Sequence, residues 1–148
     1  MGNICRSPTA EGVFRHFAVR HSELPELEVD SCGTIGYHAG EPPDPRSVSA
    51  AKLRGYDLSR IRSRKISYQD LVYFDHILAM DNENLNNLFE LANHEESLIP
   101  KIKLFLEFGN DNSINQVPDP YYGGHSGFDH VIDLIEDASQ GFIDYLMK

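Results

Sequence analysis

The sequence predicts an α/β fold, a small open parallel sheet flanked by helices. Residues 76–80 form a continuous apolar run of the kind buried on both faces of a parallel sheet, and a second short apolar run follows at 102–105. Segments with helical spacing alternate with these runs along the chain. Ligands of such sheets bind beyond the carboxyl ends of the strands.

The elements follow in order. Ala10, Val13, Phe14, Phe17 and Ala18 recur at helical spacing, with Ser7 as the expected N-cap and Pro8 at the first helical position. Ala10 stands where a capping box needs Glu or Gln, so the cap is expected to work through the Ser7 hydroxyl alone. Residues 27–32, Leu-Glu-Val-Asp-Ser-Cys, alternate in polarity and read as a strand, and the Gly- and Pro-rich stretch 33–45 reads as an irregular loop. A short helix is expected over 46–53, and Leu85, Leu88, Phe89 and Ala92 mark another after the first apolar run. Residues 109–127 are polar, rich in Pro, Gly and Asn, and too long for a simple connection, which makes them a candidate functional loop. Phe128, Val131, Ile132, Ile135, Phe142 and Leu146 fall on one face of a final helix.

Composition narrows the function. A chain of 148 residues, 41% hydrophobic, is the size of one domain spanning 1–148 with a sizeable core. The formal net charge of -10 repels nucleic acid and anionic membranes, so neither is an expected partner. An anionic substrate must be held by local amides and a few placed cations against that field. Cys5 and Cys32 make no disulfide framework, and no Cys/His spacing suits a metal; His38, His125 and His130 read as solvated residues. No apolar run reaches membrane-span length, no signal peptide is visible, and Arg6 stands where a myristoylation motif wants Ser or Thr. A reducing cytoplasm is the expected location.

The segment Gly2-Asn3-Ile4-Cys5-Arg6-Ser7-Pro8 is a glycine-containing turn running straight into a helix N-terminus. Unsatisfied N–H groups and the helix dipole favour an anion there, and Arg6 can add a planar fork for phosphate oxygens.

This segment resembles the signature Cys-x-Gly-Asn-x-Cys-Arg-Ser-Pro of the low-molecular-weight protein tyrosine phosphatases, with Met1 at the x after the first Cys. Pro43-Asp44-Pro45-Arg46, Met80-Asp81 with Asn84, and Asp119-Pro120-Tyr121-Tyr122-Gly123 resemble further blocks of the family, in order and at matching separations. The resemblance implies a four-stranded parallel sheet whose first strand precedes Met1, and a nucleophilic cysteine immediately before Met1. The chain as it stands is expected to turn over little or no substrate, and its gene to continue upstream through an apolar strand ending in Cys. The resemblance further implies a cysteinyl-phosphate mechanism with no metal or other cofactor. Phosphate would be held by Gly2, Asn3, Ile4, Cys5, Arg6 and Ser7, with Ser7 donating to the sulfur and Asn3 fixing the loop. Asp119 would be the general acid, restricted to extended conformations by Pro120. Met1, Ile4, Tyr37, Tyr121 and Tyr122 would form the rim that grips a phosphotyrosine ring. The implied partner is a phosphotyrosine-containing protein, with a bacterial tyrosine kinase as one candidate.

Cys5 cannot replace the nucleophile, because the signature puts it next to Arg6 rather than at the loop's base. The resemblance makes it a neighbouring thiol that guards the nucleophile under oxidation, beside the plainer reading of a buried packing residue. Ile61 stands where some relatives carry a histidine that braces the loop asparagine, so Asn3 must be braced otherwise. Two rival functions share the loop: an arsenate reductase of the same fold, which needs relay cysteines beyond Cys5, and a non-catalytic phosphoprotein-binding module.

Overall fold

The computed structural model describes residues 2–121 and 124–148. Helix α1 (Arg6–Ala18) opens the chain, followed by α2 (Pro45–Leu53), α3 (Tyr68–Tyr73), strand β1 (Ile77–Ala79), α4 (Asn82–Ala92), strand β2 (Ile102–Leu104) and the long α5 (His125–Leu146). β1 and β2 pair in parallel, Ile77 opposite Ile102 and Ala79 opposite Leu104.

Alternation along the strands separates two cores, as the period of two requires. Ile77, Ala79, Ile102 and Leu104 face one side, against Leu71 of α3 and Leu88 and Ala92 of α4. Leu78 and Met80 face the other, against Val13 and Phe14 of α1 and Ile135 and Phe142 of α5. Helices thus cover both faces, which is why the strands read as continuous apolar runs.

Each helix start has a local cause. Asp44 caps α2, its carboxylate accepting from the Arg46 amide at 2.8 Å, with Pro45 at the first helical position. Asp81 caps α4 by accepting from the Asn84 amide at 2.7 Å. Ser67 and Asp70 form a capping box at α3, a helix for which no periodicity was read in the sequence because it is so short.

Two expectations need correction. Ser7 does not cap α1: the helix already begins at Arg6, with Cys5 at the N-cap position and no side-chain cap. The Ser7 hydroxyl instead accepts from Asn3 Nδ2 at 2.8 Å. Residues 27–32 are not a strand. They keep the expected alternation, Leu27 and Val29 half-buried and Glu28 and Asp30 exposed, without a ladder partner. A cleft of about 510 Å³ lies between this segment and β1, lined by Ala10, Phe14, Leu27, Val29, Leu78 and Phe142 among others. Strand geometry needs a neighbouring backbone about 4.8 Å away, and among the described residues no backbone hydrogen bond to another segment joins 27–32 into a ladder.

The tightest backbone approach is at Gly141 in α5. A Cβ there would stand 1.7 Å from the Phe108 carbonyl oxygen, whereas one at Gly127 in the same helix would meet nothing closer than Pro120 at 3.8 Å. Alanine in a helix is normally better than glycine by about 0.5–1 kcal/mol. Gly127→Ala should therefore leave stability unchanged or raise it, while Gly141→Ala should lower it by about 1–3 kcal/mol because backbone must move. Urea unfolding of the two variants checks the opposite signs.

Candidate active site

The N-terminal turn is held from several directions. Asn3 is 2% exposed and adopts the left-handed region at φ 63°, which Asn tolerates better than most residues. Its Nδ2 donates to Ser7 Oγ at 2.8 Å and Ser31 Oγ at 3.1 Å, and its Oδ1 accepts from the Arg64 amide at 3.1 Å. Ser63 Oγ donates to the Gly2 carbonyl at 2.7 Å, and the Asp44 amide donates to the Ile4 carbonyl at 2.7 Å. Asn3 is thus braced by two serines and a main-chain amide, while Ile61 is buried in the core.

Ser31 links this brace to a buried acid, donating to Glu11 at 2.7 Å. Burial pushes the Glu11 carboxyl above its ordinary value, although Ser31 and Arg15 pull the other way.

Arg6, 4% exposed, crosses beneath the turn. Its Nη1 donates to Asp81 at 2.6 Å and to the Val117 carbonyl at 2.9 Å, and the Val117 amide donates to the Met80 carbonyl at 2.8 Å. Burial raises the Asp81 carboxyl, but the Asn84 amide and the Arg6 guanidinium outweigh it and leave the group below its ordinary value. The segment bearing Asp119 is therefore fastened to the turn through Arg6. Asp119 is exposed, follows Val117 closely, and its charge is felt at the Cys5 sulfur.

Both described cysteines are poor nucleophiles. Burial pushes the Cys5 thiol to about 11 and the Cys32 thiol to about 11. A reactive cysteine is favoured by the opposite shift.

Of the expected rim, Ile4 is half-buried at the turn. Tyr37 is 85% exposed, its ring edge-on to His38, whose imidazole lies so close that a Cβ at Gly2 would meet it at 2.8 Å. Tyr121 is exposed beside Arg46. Met1 and Tyr122 lie outside the described residues, as does the side chain of His125. Among the described residues no group of His, Cys, Asp and Glu could hold a metal ion; His38 pairs with Glu41 at 2.9 Å and His130 is exposed.

Sequence reasoning did not assign roles to Ser31, Ser63 or Asp81. Asp81 had a usable signal: a buried arginine needs a carboxylate, and this one follows the first apolar run directly.

Comparison with known proteins agrees with the geometry. The description "low molecular weight phosphotyrosine protein phosphatase" matches residues 1–148. A putative low molecular weight protein-tyrosine-phosphatase of Synechocystis is 38% identical over 148 residues, with 100% of this chain and 93% of that protein covered. The human low molecular weight phosphotyrosine protein phosphatase is 36% identical, with 97% of this chain and 90% of that protein covered. A crystal structure of a protein tyrosine phosphatase from Entamoeba histolytica, with Hepes in its active site, superposes with a TM-score of 0.92 at 40% identity, covering 99% of this chain and 92% of that one. With an α/β fold, a glycine-containing turn leading into a helix N-terminus and similarity across the whole of this chain in agreement, this chain belongs to the low molecular weight phosphotyrosine protein phosphatase family.

Proposed function

We propose that this protein-tyrosine phosphatase hydrolyses phosphotyrosine on proteins through a cysteinyl-phosphate intermediate formed over the turn of residues 2–7. The observation that carries the reading is the pair of hydrogen bonds that Arg6 Nη1 donates, to Asp81 and to the Val117 carbonyl, which ties the turn to the segment carrying Asp119.

The proposed sulfur belongs to a cysteine directly before Met1, at the base of the turn. Its thiolate attacks phosphorus in line, and the tyrosyl oxygen departs with a proton from Asp119. Water then attacks the phosphocysteine, giving its proton to Asp119, and inorganic phosphate and the thiolate are released. The amides of residues 2–7 and the helix N-terminus supply positive potential where charge builds on the phosphoryl oxygens. Arg6 reaches the same oxygens when phosphate competes with the Val117 carbonyl for its donors. Tyr37 and Tyr121, with Ile4, Met1 and Tyr122, line the approach to the turn in this reading.

The proposed setting is the cytoplasm, with the 148 residues acting as one domain and a bacterial tyrosine kinase as a candidate substrate. No helix among the described residues is long and apolar enough to cross a membrane. Arsenate reduction is disfavoured because a thiol relay needs reactive sulfurs, and burial keeps Cys5 and Cys32 protonated.

Hydrolysis of p-nitrophenyl phosphate tests the reading. A chain extended by an apolar strand ending in Cys should be active, and replacing that Cys by Ser should abolish turnover; equal rates with and without the extension would refute the assignment. In the active form Asp119→Asn should slow turnover by about 10²–10⁴-fold, the usual worth of a general acid. Arg6→Ala should remove measurable activity. Near-wild-type rates for either variant would take that residue out of the site.

The Arg6–Asp81 pair has a stability signature. Because Asp81 titrates below its ordinary value, its contribution is complete above about pH 4 and is lost as the pH falls through its folded value. Asp81→Asn should cost about 3–5 kcal/mol at pH 7 by leaving a buried guanidinium without its counter-charge. The variant should also lose less stability than wild type between pH 5 and about pH 2. Denaturant unfolding across that range measures both.

A further inference from the structure

We infer that Arg46 is a positioning residue for Asp119, acting through the ring of Tyr121; the inference rests on Asp119 being the general acid proposed above. Arg46 occupies the first turn of α2, the wrong end of a helix dipole for a cation. Helix stability therefore does not explain it, and its contacts do. Its guanidinium carbon lies 5.2 Å from the centre of the Tyr121 ring and 4.8 Å from that of Phe128, within cation–π range of both. One planar cation thus touches both Tyr121, two residues after Asp119, and Phe128 in the first turns of α5.

The cation is itself fixed. Arg46 Nε and Nη2 donate to the two oxygens of Asp44 at 3.1 and 2.9 Å, the bidentate fork that lysine cannot reproduce. Asp44 is nearly buried and its amide donates to the Ile4 carbonyl in the anion-binding turn at 2.7 Å. At the other end, the Tyr121 amide donates to Asp119 Oδ1 at 3.0 Å. A continuous path therefore runs from the turn through Asp44, Arg46 and Tyr121 to the carboxyl group. Arg6 anchors the start of this segment at Val117, and Arg46 anchors its far side. Between two anchors the carboxyl group is held at a set height above the turn; with one it swings.

Kinetics of Arg46→Met and Arg46→Lys in the active protein test this. Phenyl phosphate has a poor leaving group that needs its proton, and p-nitrophenyl phosphate has a good one that needs it less. Arg46→Met should lower kcat for phenyl phosphate about tenfold more than for p-nitrophenyl phosphate, a fraction of what a general acid is worth, with KM little changed. Arg46→Lys should restore less than half of the loss, because it keeps the charge without the fork. In an Asp119→Asn background Arg46→Met should cost nothing further. Equal losses on both substrates, a loss confined to KM, or full additivity with Asp119→Asn would overturn the inference. Amide exchange at Tyr121 in the 148-residue chain gives a readout free of turnover. It should quicken in Arg46→Met, and unchanged exchange would overturn the mechanical link. An extended chain, with the cysteine before Met1 in place, that is inactive on both substrates would sink the proposed chemistry, while the exchange measurement would still decide whether Arg46 holds the segment.

Discussion

Arg6 Nη1 donates at once to the Asp81 carboxylate and the Val117 carbonyl, and through this buried cation the start of α1 is joined to the end of β1 and to the chain at Val117. Removing water from a guanidinium is costly unless a counter-charge and good geometry offset it. Asp81 supplies the charge, and the α4 N-terminus that it caps keeps its carboxylate ionised. The chain thus sets a cation beneath its anion-binding turn without leaving that cation unpaired in the absence of a ligand.

In the proposed reading, the same pairing bears on how a protein with net charge -10 would hold a phosphate. The long-range field is unfavourable, so the favourable part must be short-range: amides at a helix start, one guanidinium below, and another at the side between aromatic rings. Asn3 takes the left-handed conformation within the turn. Because its side-chain donors and acceptor are engaged by Ser7, Ser31 and Arg64, the turn is shaped before any ligand arrives.

Much of this was legible in the sequence. The apolar run at 76–80, the helix after Asp44 and the α5 face depend on local periodicity and capping, and they stand where the pattern put them. Residues 27–32 show the limit: alternation sets which side chains are buried, but a strand also needs a neighbour, and no single segment encodes that. Ser7 shows another, since N-cap preference describes an average helix and here Asn3 takes the hydroxyl. The family blocks marked Arg46 and Asp81 as positions, yet besides their near neighbours each also touches a residue tens of positions away, Tyr121 and Arg6, which no local pattern encodes.

Burial of both described sulfurs has a consequence for the protein's chemistry with oxidants. Peroxide and alkylating reagents attack thiolates, and at neutral pH Cys5 and Cys32 are almost wholly protonated. Desolvation therefore makes each of these thiols slower to react with such reagents than an ordinary exposed cysteine.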